Sequence, residues 1–292
     1  MKVQNNNNIY LNEILSKYSW FNLGGPAEIF FRPDTIEQLS LFLRSNQNTV
    51  NILGAGSNTL IRDGGIKGVT IKLSSKFSYI NIIDNNTLEV GAATLDKKLS
   101  NFATKNSISG FEFLACIPGS IGGGIVMNSG CYGHEISKIL ISIKTMDFKG
   151  NINEIPRDQI NFFYRGSNQL NNLIILSAKF RIEKDTFEKI QLKQDNMIKV
   201  KKNSQPSNVK TCGSTFKNTK NKKAWELIKE SNCDKLKVGQ AKISETHCNF
   251  FINEGNATSL EIELLVEKVR NEVLSKTGTS LELEIKIIGE VI

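Results

Sequence analysis

Short apolar runs alternate with polar turns along the first 180 residues, and this pattern predicts strands separated by a few helices. Runs rich in β-branched and aromatic side chains indicate strands at residues 27–32, 50–53, 69–73, 87–90, 139–148 and 173–182. Apolar residues at helical spacing indicate helices at residues 36–44 and 95–105. The first part of the chain is therefore predicted to combine sheets with short helices.

The pattern changes after about residue 185, where longer helical segments and polar connections replace the strands. A helix with a basic end (residues 186–202) is followed by a polar connection (203–210) and a short helix (224–230). From this change we predict an α+β protein with two unequal domains, residues 1–184 and residues 185–292.

The last part of the chain carries clear local signals. Thr258 and Glu261 match a capping box, and the apolar residues behind them predict a long helix that stops at Gly278. Residues 281–288 (LELEIKII) alternate between apolar and polar, so we predict a final strand with Glu284 on its polar face. Whether this strand returns to the first domain is left open.

Length and composition fit an ordinary globular protein. The chain has 292 residues, of which 39% are apolar and 23% are charged, and a chain of this size can bury a core without disulfide bonds. It contains no run of about 18 apolar residues that predicts a membrane span. Residues 1–10 are polar and lack the apolar stretch of a secretory signal. We therefore expect a cytoplasmic protein without membrane insertion.

The excess of basic residues does not by itself select a partner. Lys and Arg total 37 against 29 Asp and Glu, a net charge of +8, which fits a nucleic acid, an anionic metabolite or a plain solvated surface. The basic residues are dispersed, apart from a cluster at Lys199, Lys201, Lys202 and Lys210. The five cysteines form no C-x-x-C pair and there are only two histidines, so we predict neither a metal site nor a disulfide framework.

Two glycine-rich segments are candidates for contact with an anionic ligand. Residues 54–58 (GAGSN) follow a predicted strand, and their N–H groups can approach a phosphate, although the third glycine of the dinucleotide fingerprint is missing. A turn without a ligand is an equal alternative. Residues 117–124 (IPGSIGGG) contain four glycines within six residues. Such a stretch is costly to order, so this backbone is expected to lie against a ligand or another backbone, with a tight turn as the alternative.

Three further positions are weak signals when each is taken alone. Arg165 follows Tyr164, and the arginine fork suits a carboxylate or phosphate, but a surface ion pair is the commoner role. Ser214 can be a donor, a nucleophile or a cap, and no histidine lies near it in the sequence to complete a hydrolase triad. Glu284 belongs to a polar strand face of the kind that is usually solvated.

Taken together and in order, these segments resemble the family of UDP-N-acetylenolpyruvoylglucosamine reductase (UDP-N-acetylmuramate dehydrogenase), flavoenzymes of bacterial cell-wall synthesis. The resemblance covers about residues 20–289, and its ordered motifs are LGGPA at 23–27, LGAGSN at 53–58, GFE at 110–112, IPGSIGGG at 117–124, MN at 127–128, YR at 164–165, GSTFKN at 213–218 and Glu284 five residues before Gly289. Each motif is weak alone, but the ordered set is specific. The short chain resembles the form of the family that lacks an extra substrate-closing loop.

The chain departs from the family pattern at a few positions. Relatives often have proline where this chain has Thr219, and a second glycine where it has Gln240. Relatives also often have alanine on both sides of the residue that matches Gly130, whereas this chain has Ser129 and Cys131. The last two residues are still small, so close approach of the backbone remains possible there.

The resemblance implies an α+β fold with a two-lobed FAD-binding domain of the PCMH or vanillyl-alcohol-oxidase type and a smaller α+β C-terminal substrate domain. It also implies FAD as the cofactor and NADPH as the co-substrate. The implied cofactor-binding residues are Gly54, Ala55, Gly56, Ser57, Asn58, Pro118, Gly119, Ser120, Gly122, Gly123, Asn128 and Gly130.

The resemblance further implies a reaction in two halves. NADPH gives a hydride to flavin N5, and the reduced flavin gives it to the methylene carbon of UDP-N-acetylglucosamine enolpyruvate, after which the adjacent carbon is protonated. Arg165 matches the residue that stabilises the developing negative charge, Ser214 matches the proton donor, and Glu284 matches the third catalytic position. The implied substrate-binding residues are Tyr164, Lys217 and Asn218.

Two other classes of protein remain open on the residues alone. A flavin oxidase of the same fold would use O₂ and usually tethers FAD through His or Cys, but neither His134 nor Cys131 matches a known tether. A basic nucleic-acid-binding protein would need aromatic residues clustered with arginine, and that clustering is missing. We therefore expect a UDP-sugar and NADPH as partners, no nucleic acid, and a monomer.

Overall fold

The computed structural model describes residues 8–292, which form helices, strands and short 3-10 turns. The α-helices are α1 (Ile36–Ser45), α2 (Asp96–Lys105), α3 (Ile121–Val126), α4 (Ile136–Ile139), α5 (Phe187–Ser204), α6 (Ala224–Glu230) and α7 (Ser259–Thr277). The strands are β1 (Ile9–Ile14), β2 (Pro26–Phe31), β3 (Val50–Ile52), β4 (Thr59–Ile61), β5 (Ile66–Ile71), β6 (Ile80–Ile82), β7 (Thr87–Gly91), β8 (Ile108–Ser109), β9 (Gly130–Cys131), β10 (His134–Glu135), β11 (Leu140–Asp147), β12 (Ile152–Pro156), β13 (Phe162–Phe163), β14 (Gly166–Ser167), β15 (Leu173–Arg181), β16 (Glu183–Lys184), β17 (Lys237–Val238), β18 (Ala241–Ile243), β19 (Phe251–Asn253) and β20 (Lys286–Ile288). The 3-10 turns are Ser16–Tyr18, Ser75–Phe77, Glu112–Cys116 and Arg157–Gln159.

These elements belong to two compact units that each collect separate segments of the chain. Unit 1 consists of the described part of Met1–Tyr10 together with Phe30–Ala55 and Val69–Lys201. Unit 2 consists of Leu11–Ile29, Gly56–Gly68 and Lys202–Ile292. Of the helices in residues 8–292, none is both long enough and apolar enough to cross a membrane.

Unit 1 is built on a five-stranded antiparallel sheet with the order β12-β11-β15-β7-β6. The central strand β15 is buried at six of its nine positions. Helix α3 contacts both β15 and β7, and buried residues such as Val90, Ile125 and Phe180 form one core. The same unit contains the parallel pair of β3 and β5, in which Val50 lies beside Val69. This pair leads the chain directly into Gly54.

Unit 2 packs the helices α6 and α7 with the three-stranded sheet β17-β18-β19 and the parallel pair β20-β4. The predicted capping box is confirmed, because Thr258 Oγ1 accepts the Glu261 N–H at 3.1 Å and the Glu261 carboxylate accepts the Thr258 N–H at 2.9 Å. Helix α7 ends at Gly278, which has φ +69°, as the sequence predicted. Val266 and Val269 of this helix share a core with Phe216.

The final strand is shorter than the alternating pattern of residues 281–288 predicts. Only Lys286–Ile288 is paired as a strand, in parallel with Thr59–Ile61. The preceding residues lie beside residues 214–217 and make an isolated bridge from Leu283 to Phe216. The alternation is therefore caused by burial of Leu281 and Ile285 and not by a continuous ladder of hydrogen bonds.

The glycine-rich segment 117–124 does not form the tight turn that was the alternative for it. Residues 121–126 form helix α3, although three of them are glycine, and glycine disfavours a helix interior. Tertiary hydrogen bonds hold the first turn of the helix: the Ile121 N–H donates to the Thr94 carbonyl at 2.9 Å, and the Gly122 N–H donates to the Ala92 carbonyl at 2.9 Å. Contact with another backbone, one of the two alternatives, is thus present here.

Asp96 is a fully buried carboxyl group at the first turn of α2. Its backbone N–H donates to the Gly119 carbonyl at 3.1 Å, but among the described residues neither of its carboxyl oxygens has a hydrogen-bond partner. Burial raises the pKa of Asp96 to about 8. The group is therefore held largely in its protonated form near neutral pH.

We expect this aspartic acid to make the protein less stable as the pH rises. Between the ordinary pKa of about 3.9 and about 8, the folded state keeps a proton that the unfolded state releases, so the free energy of unfolding falls with increasing pH. From about pH 5 to about pH 8 the loss is on the order of a few kcal/mol. Asp96→Asn should flatten this dependence in urea titrations, because the amide does not titrate. The exposed Asp158 supplies the control Asp158→Asn, and an equal slope in all three proteins would contradict the expectation.

Candidate active site

Unit 1 brings the two glycine-rich segments together. A Cβ built on Gly54 would lie 3.3 Å from Ser120 Oγ and 3.9 Å from the Cα of Gly123. At Gly123, such a Cβ would lie 3.7 Å from the same hydroxyl oxygen, an ordinary van der Waals contact. Gly54, Ser120 and Gly123 thus bring bare backbone and one hydroxyl together, with space for a ligand beside Gly123, and we call these three residues the glycine cradle.

Positive charge lies beside the glycine cradle. The Lys72 ammonium donates to the Gly54 carbonyl oxygen, and burial together with the nearby charge of Arg32 lowers the pKa of Lys72 to about 8. The buried Nε of Arg32 has no hydrogen-bond partner among the described residues. Arg32 directly follows β2 and Lys72 directly follows β5, and these two strands are neighbours in one sheet. At this end of the strands the Lys72 N–H donates to the Phe31 carbonyl at 3.0 Å. An anionic group, such as the diphosphate of a dinucleotide, fits this combination of open backbone and positive charge.

Sequence reasoning missed both cations. Lys72 and Arg32 appear in the sequence as single basic residues at the ends of strands, which is a common surface pattern. Two basic residues that each follow a strand predict an anion site only when the two strands are known to be neighbours in the sheet.

Other glycines of the predicted cofactor site are required by packing of the chain itself. A Cβ on Gly122 would lie 3.1 Å from the Ala92 Cβ. In unit 2, a Cβ on Gly56 would overlap the Tyr18 carbonyl oxygen. In unit 1, a Cβ on Gly130 would overlap the carbonyl oxygen of His134. Four other residues of the predicted cofactor site are half-buried: Ala55, Ser57, Pro118 and Gly119.

Arg165 lies in unit 1 and is held close to two of the predicted cofactor residues. Its Nη2 donates to the Gly130 carbonyl at 2.8 Å, and its guanidinium carbon lies 4.8 Å from the centroid of the Tyr164 ring. Asn128 donates to the Phe163 carbonyl at 3.1 Å and so joins the same cluster. Arg165 has φ +57°, a left-handed conformation that costs roughly 1–3 kcal/mol for a non-glycine residue. The surrounding contacts therefore hold the guanidinium in a fixed place.

Ser214 and Glu284 lie together in unit 2. Ser214 follows Gly213, which has φ +80° and space around it, and Ser214 is bridged to Phe250. On the other side of this segment, the Glu284 N–H donates to the Thr215 carbonyl at 2.8 Å. Two of the three predicted catalytic residues are thus placed on adjacent backbone segments, although 70 positions separate them in the sequence.

Asn58 holds the backbone of Glu284 in place. Its Nδ2 donates to the Glu284 carbonyl at 3.0 Å, and the Asn58 carbonyl accepts the Lys286 N–H at 2.9 Å. The side chain that was expected to contact the cofactor therefore has a positioning contact within unit 2. A cofactor contact by Asn58 stays a prediction.

Two of the three predicted substrate residues, Lys217 and Asn218, already have protein partners. The Lys217 ammonium lies 2.6 Å from the carboxylate of Glu282, whose side chain is 74% exposed. Asn218 Oδ1 accepts the N–H of Ala224, the first residue of α6, at 3.0 Å. The exposed carboxylate of Glu282 can be displaced by another anion, whereas the oxygen of Asn218 holds a helix end.

Asn249 was missed by the sequence analysis. This residue is 3% exposed, and its side chain accepts the Phe216 N–H at 3.0 Å and donates to the Phe216 carbonyl at 2.8 Å. Its own carbonyl accepts the Thr215 N–H at 2.8 Å. A buried amide that satisfies a backbone N–H and C=O is costly to replace, so Asn249 fixes the segment that carries Ser214. The only available signal was an amide within the apolar run CNFFIN.

Residues 8–292 contain no group of three His, Cys, Asp or Glu side chains arranged to hold a metal ion.

Two family models match complementary parts of the chain. Residues 27–155 match the model described as FAD binding domain. Residues 205–288 match the model described as UDP-N-acetylenolpyruvoylglucosamine reductase, C-terminal domain. The first match contains the glycine cradle and the second contains Ser214 and Glu284.

Curated relatives and a solved structure match nearly the full length. The chain is 47% identical to UDP-N-acetylenolpyruvoylglucosamine reductase from Pelagibacter ubique, over 94% of this chain and 92% of the relative. It is 46% identical to the protein of the same name from Rickettsia bellii, over 95% of this chain and 92% of the relative. The crystal structure of UDP-N-acetylenolpyruvylglucosamine reductase from Thermus caldophilus superposes with a TM-score of 0.84 at 29% identity, covering 96% of this chain and 98% of that one. From the glycine cradle to the segment of Ser214 and Glu284, this chain therefore belongs to the UDP-N-acetylenolpyruvoylglucosamine reductase family.

Proposed function

We propose that this protein is the NADPH-dependent FAD enzyme that reduces UDP-N-acetylglucosamine enolpyruvate to UDP-N-acetylmuramate for peptidoglycan synthesis. The observation that carries the proposal is the 47% identity to a reductase of that name over 94% of the chain. The geometry supports it, because each unit presents a part of the chemistry that this reaction needs. Unit 1 offers a cationic cradle for a dinucleotide, and unit 2 offers a hydroxyl and a carboxyl group on adjacent backbone segments.

The residues of unit 1 fit FAD. The glycine cradle, with space beside Gly123 and the ammonium of Lys72 on the Gly54 carbonyl, would hold the diphosphate. The other residues proposed to contact the cofactor are Ala55, Gly56, Ser57, Asn58, Pro118, Gly119, Gly122, Asn128 and Gly130. When bound, FAD supplies the ring that accepts a hydride from NADPH and passes it to the substrate.

Arg165 is proposed to stabilise negative charge on the substrate carboxylate. One guanidinium nitrogen is held by the Gly130 carbonyl, and the ring of Tyr164 lies against the group. A guanidinium fixed in advance stabilises developing charge without reorganisation during the reaction. Tyr164 is proposed to pack on the substrate as well.

Ser214 is proposed to donate the proton to the carbon next to the site of hydride addition. A serine hydroxyl is a weak acid, so its position must be fixed and its conjugate base stabilised. The clamp by Asn249 on the following residues provides the fixed position. Glu284, on the neighbouring segment, is proposed to hold the substrate carboxylate through a shared proton.

The same proposal assigns different ligands to the two predicted domains. Residues 1–184 are proposed to bind FAD in two lobes, and residues 185–292 are proposed to bind the UDP-sugar. Lys217 would bind the diphosphate of the UDP-sugar, with phosphate oxygens replacing the Glu282 carboxylate as its partner. Asn218, the next residue, is proposed to contact the UDP-sugar as well. We propose that the enzyme acts as a monomer in the cytoplasm and without nucleic acid.

The test is an anaerobic assay of the purified protein. A yellow protein that oxidises NADPH only when UDP-N-acetylglucosamine enolpyruvate is present, and that forms UDP-N-acetylmuramate, is the expected result. A yellow protein that instead consumes O₂ with a sugar alcohol would be an oxidase of the same fold. A colourless protein that binds nucleic acid with strong salt dependence would contradict both flavoenzyme functions.

We expect Gly123→Val to lower flavin content. The new side chain would enter the space beside Gly123 in the glycine cradle, where its Cβ would make an ordinary van der Waals contact with the Ser120 hydroxyl, so the fold should tolerate it. Loss of about one charge-assisted hydrogen bond, worth roughly 1.5–3 kcal/mol, corresponds to a tenfold or greater loss of affinity. Flavin per protein, measured from visible absorbance, checks this.

Gly255→Val is the matched control, because a Cβ on Gly255 likewise has room in the described structure. Gly122 is a poorer test, since a Cβ there would lie 3.1 Å from the Ala92 Cβ and a side chain would disturb folding. Equal flavin occupancy in Gly123→Val and in the unaltered protein would contradict the contact between the cradle and the cofactor.

A further inference from the structure

His247 begins the turn that carries Asn249, the residue that holds the backbone next to Ser214. The Asn249 N–H donates to Nδ1 of the His247 ring at 3.3 Å, and the Phe250 N–H donates to the His247 carbonyl oxygen at 2.9 Å. Both the side chain and the backbone of His247 therefore hold the turn of residues 247–250, which lies entirely in unit 2.

Two aromatic side chains hold the imidazole ring in this orientation. Its centroid lies 4.9 Å from that of the Phe250 ring, with 69° between the two planes. It lies 6.4 Å from the centroid of the Trp225 ring of helix α6, with 65° between the planes. Both are edge-to-face contacts, which aromatic pairs favour. The half-buried ring is thus kept with Nδ1 towards the Asn249 N–H.

The hydrogen bond from Asn249 requires a neutral ring. A ring nitrogen that accepts a hydrogen bond carries no proton, so the single proton of neutral His247 lies on Nε2. Burial lowers the pKa of His247 below its ordinary value, which keeps the ring neutral near neutral pH. When acid protonates the ring, Nδ1 gains a proton that faces the Asn249 N–H, and the hydrogen bond is lost.

The charge nearest in effect favours the neutral ring as well. The positive charge of Lys223, the residue before α6, lowers the pKa of His247 further. Other titratable groups on the segments around the ring are exposed or already bound to other groups: Glu226, Cys248, Glu245 and Lys217. We therefore assign titration of this turn to His247.

Backbone contacts join the turn of residues 247–250 to Ser214. The Thr215 N–H donates to the Asn249 carbonyl at 2.8 Å, and Ser214 itself makes an isolated β-bridge with Phe250. The first contact fixes the residue after Ser214, and the second fixes Ser214. A displacement of Asn249 is therefore transmitted to the backbone that carries the Ser214 hydroxyl.

We propose that neutral His247 is a positioning residue for proton donation by Ser214 and acts through the Asn249 N–H. The inference rests on the proposed function, in which Ser214 supplies the proton that follows hydride addition. His247 itself moves no proton in that reaction. The substrate half of the reaction is expected to slow when the ring is protonated, whereas hydride transfer from NADPH to the flavin does not use this contact.

His247→Asn separates the hydrogen bond from the titration. An asparagine oxygen accepts the N–H two residues further on, as Asn253 does from Gly255 at 3.0 Å in the same unit. This variant should keep the rate of reoxidation by the enolpyruvyl substrate and lose its fall in acid. His247→Leu lacks the acceptor, so its rate should be about threefold to tenfold lower at every pH, the equivalent of one net hydrogen bond.

Anaerobic stopped-flow reoxidation of the prereduced protein from about pH 5 to about pH 8, the range in which histidine titrates, measures the effect. The unaltered protein should lose rate in acid by a similar factor. His134→Asn, at the exposed second histidine of the chain, is the matched control and should keep this fall. Flavin reduction by NADPH should have the same pH profile in His247→Asn as in the unaltered protein.

NMR of the protein labelled with ¹⁵N in its histidine rings tests the hydrogen bond without substrate. The chain has two histidines, so the His134→Asn variant leaves the signals of His247 alone. The expected result near neutral pH is a neutral ring with its proton on Nε2. A ring that carries its proton on Nδ1, or a ring that is charged near neutral pH, would refute the hydrogen bond.

The rate measurements can overturn the positioning role separately. A fall in acid that is absent from the unaltered protein or that persists in His247→Asn overturns the role, and so does a His247→Leu rate equal to that of the unaltered protein. If the unaltered protein never transfers its hydride to the enolpyruvyl substrate, the proposed function itself fails, and the inference fails with it. That outcome is visible before any variant is compared, so the two failures are distinguishable.

Discussion

Replacing Ser214 with Ala is expected to slow reoxidation of the reduced flavin by the enolpyruvyl substrate by about 10²–10⁴-fold, the contribution of a positioned general acid. Flavin content and reduction of the flavin by NADPH should stay near normal. Substrate binding should weaken little, because one hydroxyl contributes about 0.5–1.5 kcal/mol of net hydrogen bonding. The effect is therefore expected in one half of the reaction only.

The contacts that hold the segment around Ser214 do not depend on the Ser214 hydroxyl. The segment around Ser214 is held by backbone groups and by Asn249: the Thr215 N–H donates to the Asn249 carbonyl at 2.8 Å, and the Asn249 side chain binds Phe216 through both of its polar groups. Loss of the Ser214 hydroxyl leaves all of these contacts in place. A fall in rate will thus report on the proton and not on the fold.

Anaerobic stopped-flow reoxidation of the prereduced enzyme measures the step. Ser214→Cys should retain part of the rate, since a thiol with an ordinary pKa of about 8.5 can still donate a proton. Ser280→Ala, at an exposed serine of the same unit, is the matched control. A Ser214→Ala rate within a few-fold of the unaltered enzyme would show that Ser214 is not the acid and would direct attention to Glu284 or a bound water.

Arg165→Lys is expected to slow reduction of the enolpyruvyl group by about 10²-fold or more, as for loss of one donor to a developing oxyanion. Lysine keeps the positive charge but lacks the planar fork. It cannot donate to the Gly130 carbonyl from the position of Nη2 and also present a second nitrogen to a carboxylate. The left-handed backbone at φ +57° is the same for both residues, so the change acts through the side chain.

The two half-reactions provide the measurement for Arg165→Lys. Flavin reduction by NADPH should change much less than reoxidation by substrate in the same stopped-flow experiment. Arg270→Lys, at a solvent-exposed salt bridge to Glu267, is the matched control. Equal slowing of both halves would indicate a general defect of folding or flavin binding and would contradict the proposed role of Arg165.

Local signals predicted much of the secondary structure of this chain. The apolar spacing of residues 36–44 became the helix Ile36–Ser45, and the segment 224–230 became Ala224–Glu230. The capping box at Thr258 and the stop at Gly278 were read correctly, because both depend on contacts within a few residues. The ordered motifs were sufficient to predict the family, which the comparisons confirm.

Local signals failed where long-range contacts decide the backbone. The alternation of residues 281–288 predicted one continuous strand, but their partners are an isolated bridge to Phe216 and a short parallel pair with β4. The glycines at 122–124 disfavour a helix, yet helix α3 forms because the carbonyls of Ala92 and Thr94 hold its first turn.

The sequence by itself determined the helix and strand periods, the helix caps and the family motifs, because each depends on neighbours in the chain or on residue type at a fixed spacing. The tertiary structure alone decided which distant groups share a site. It placed Lys72 against the carbonyl of Gly54, the Asn58 amide on the carbonyl of Glu284, and the thiol of Cys131 on the carbonyl of Phe113. It also buried Asp96 without a hydrogen-bond partner among the described residues. Desolvation raises the pKa of Asp96, and desolvation together with the charge of Arg32 lowers the pKa of Lys72; both effects are properties of packing that the order of residues along a chain does not express.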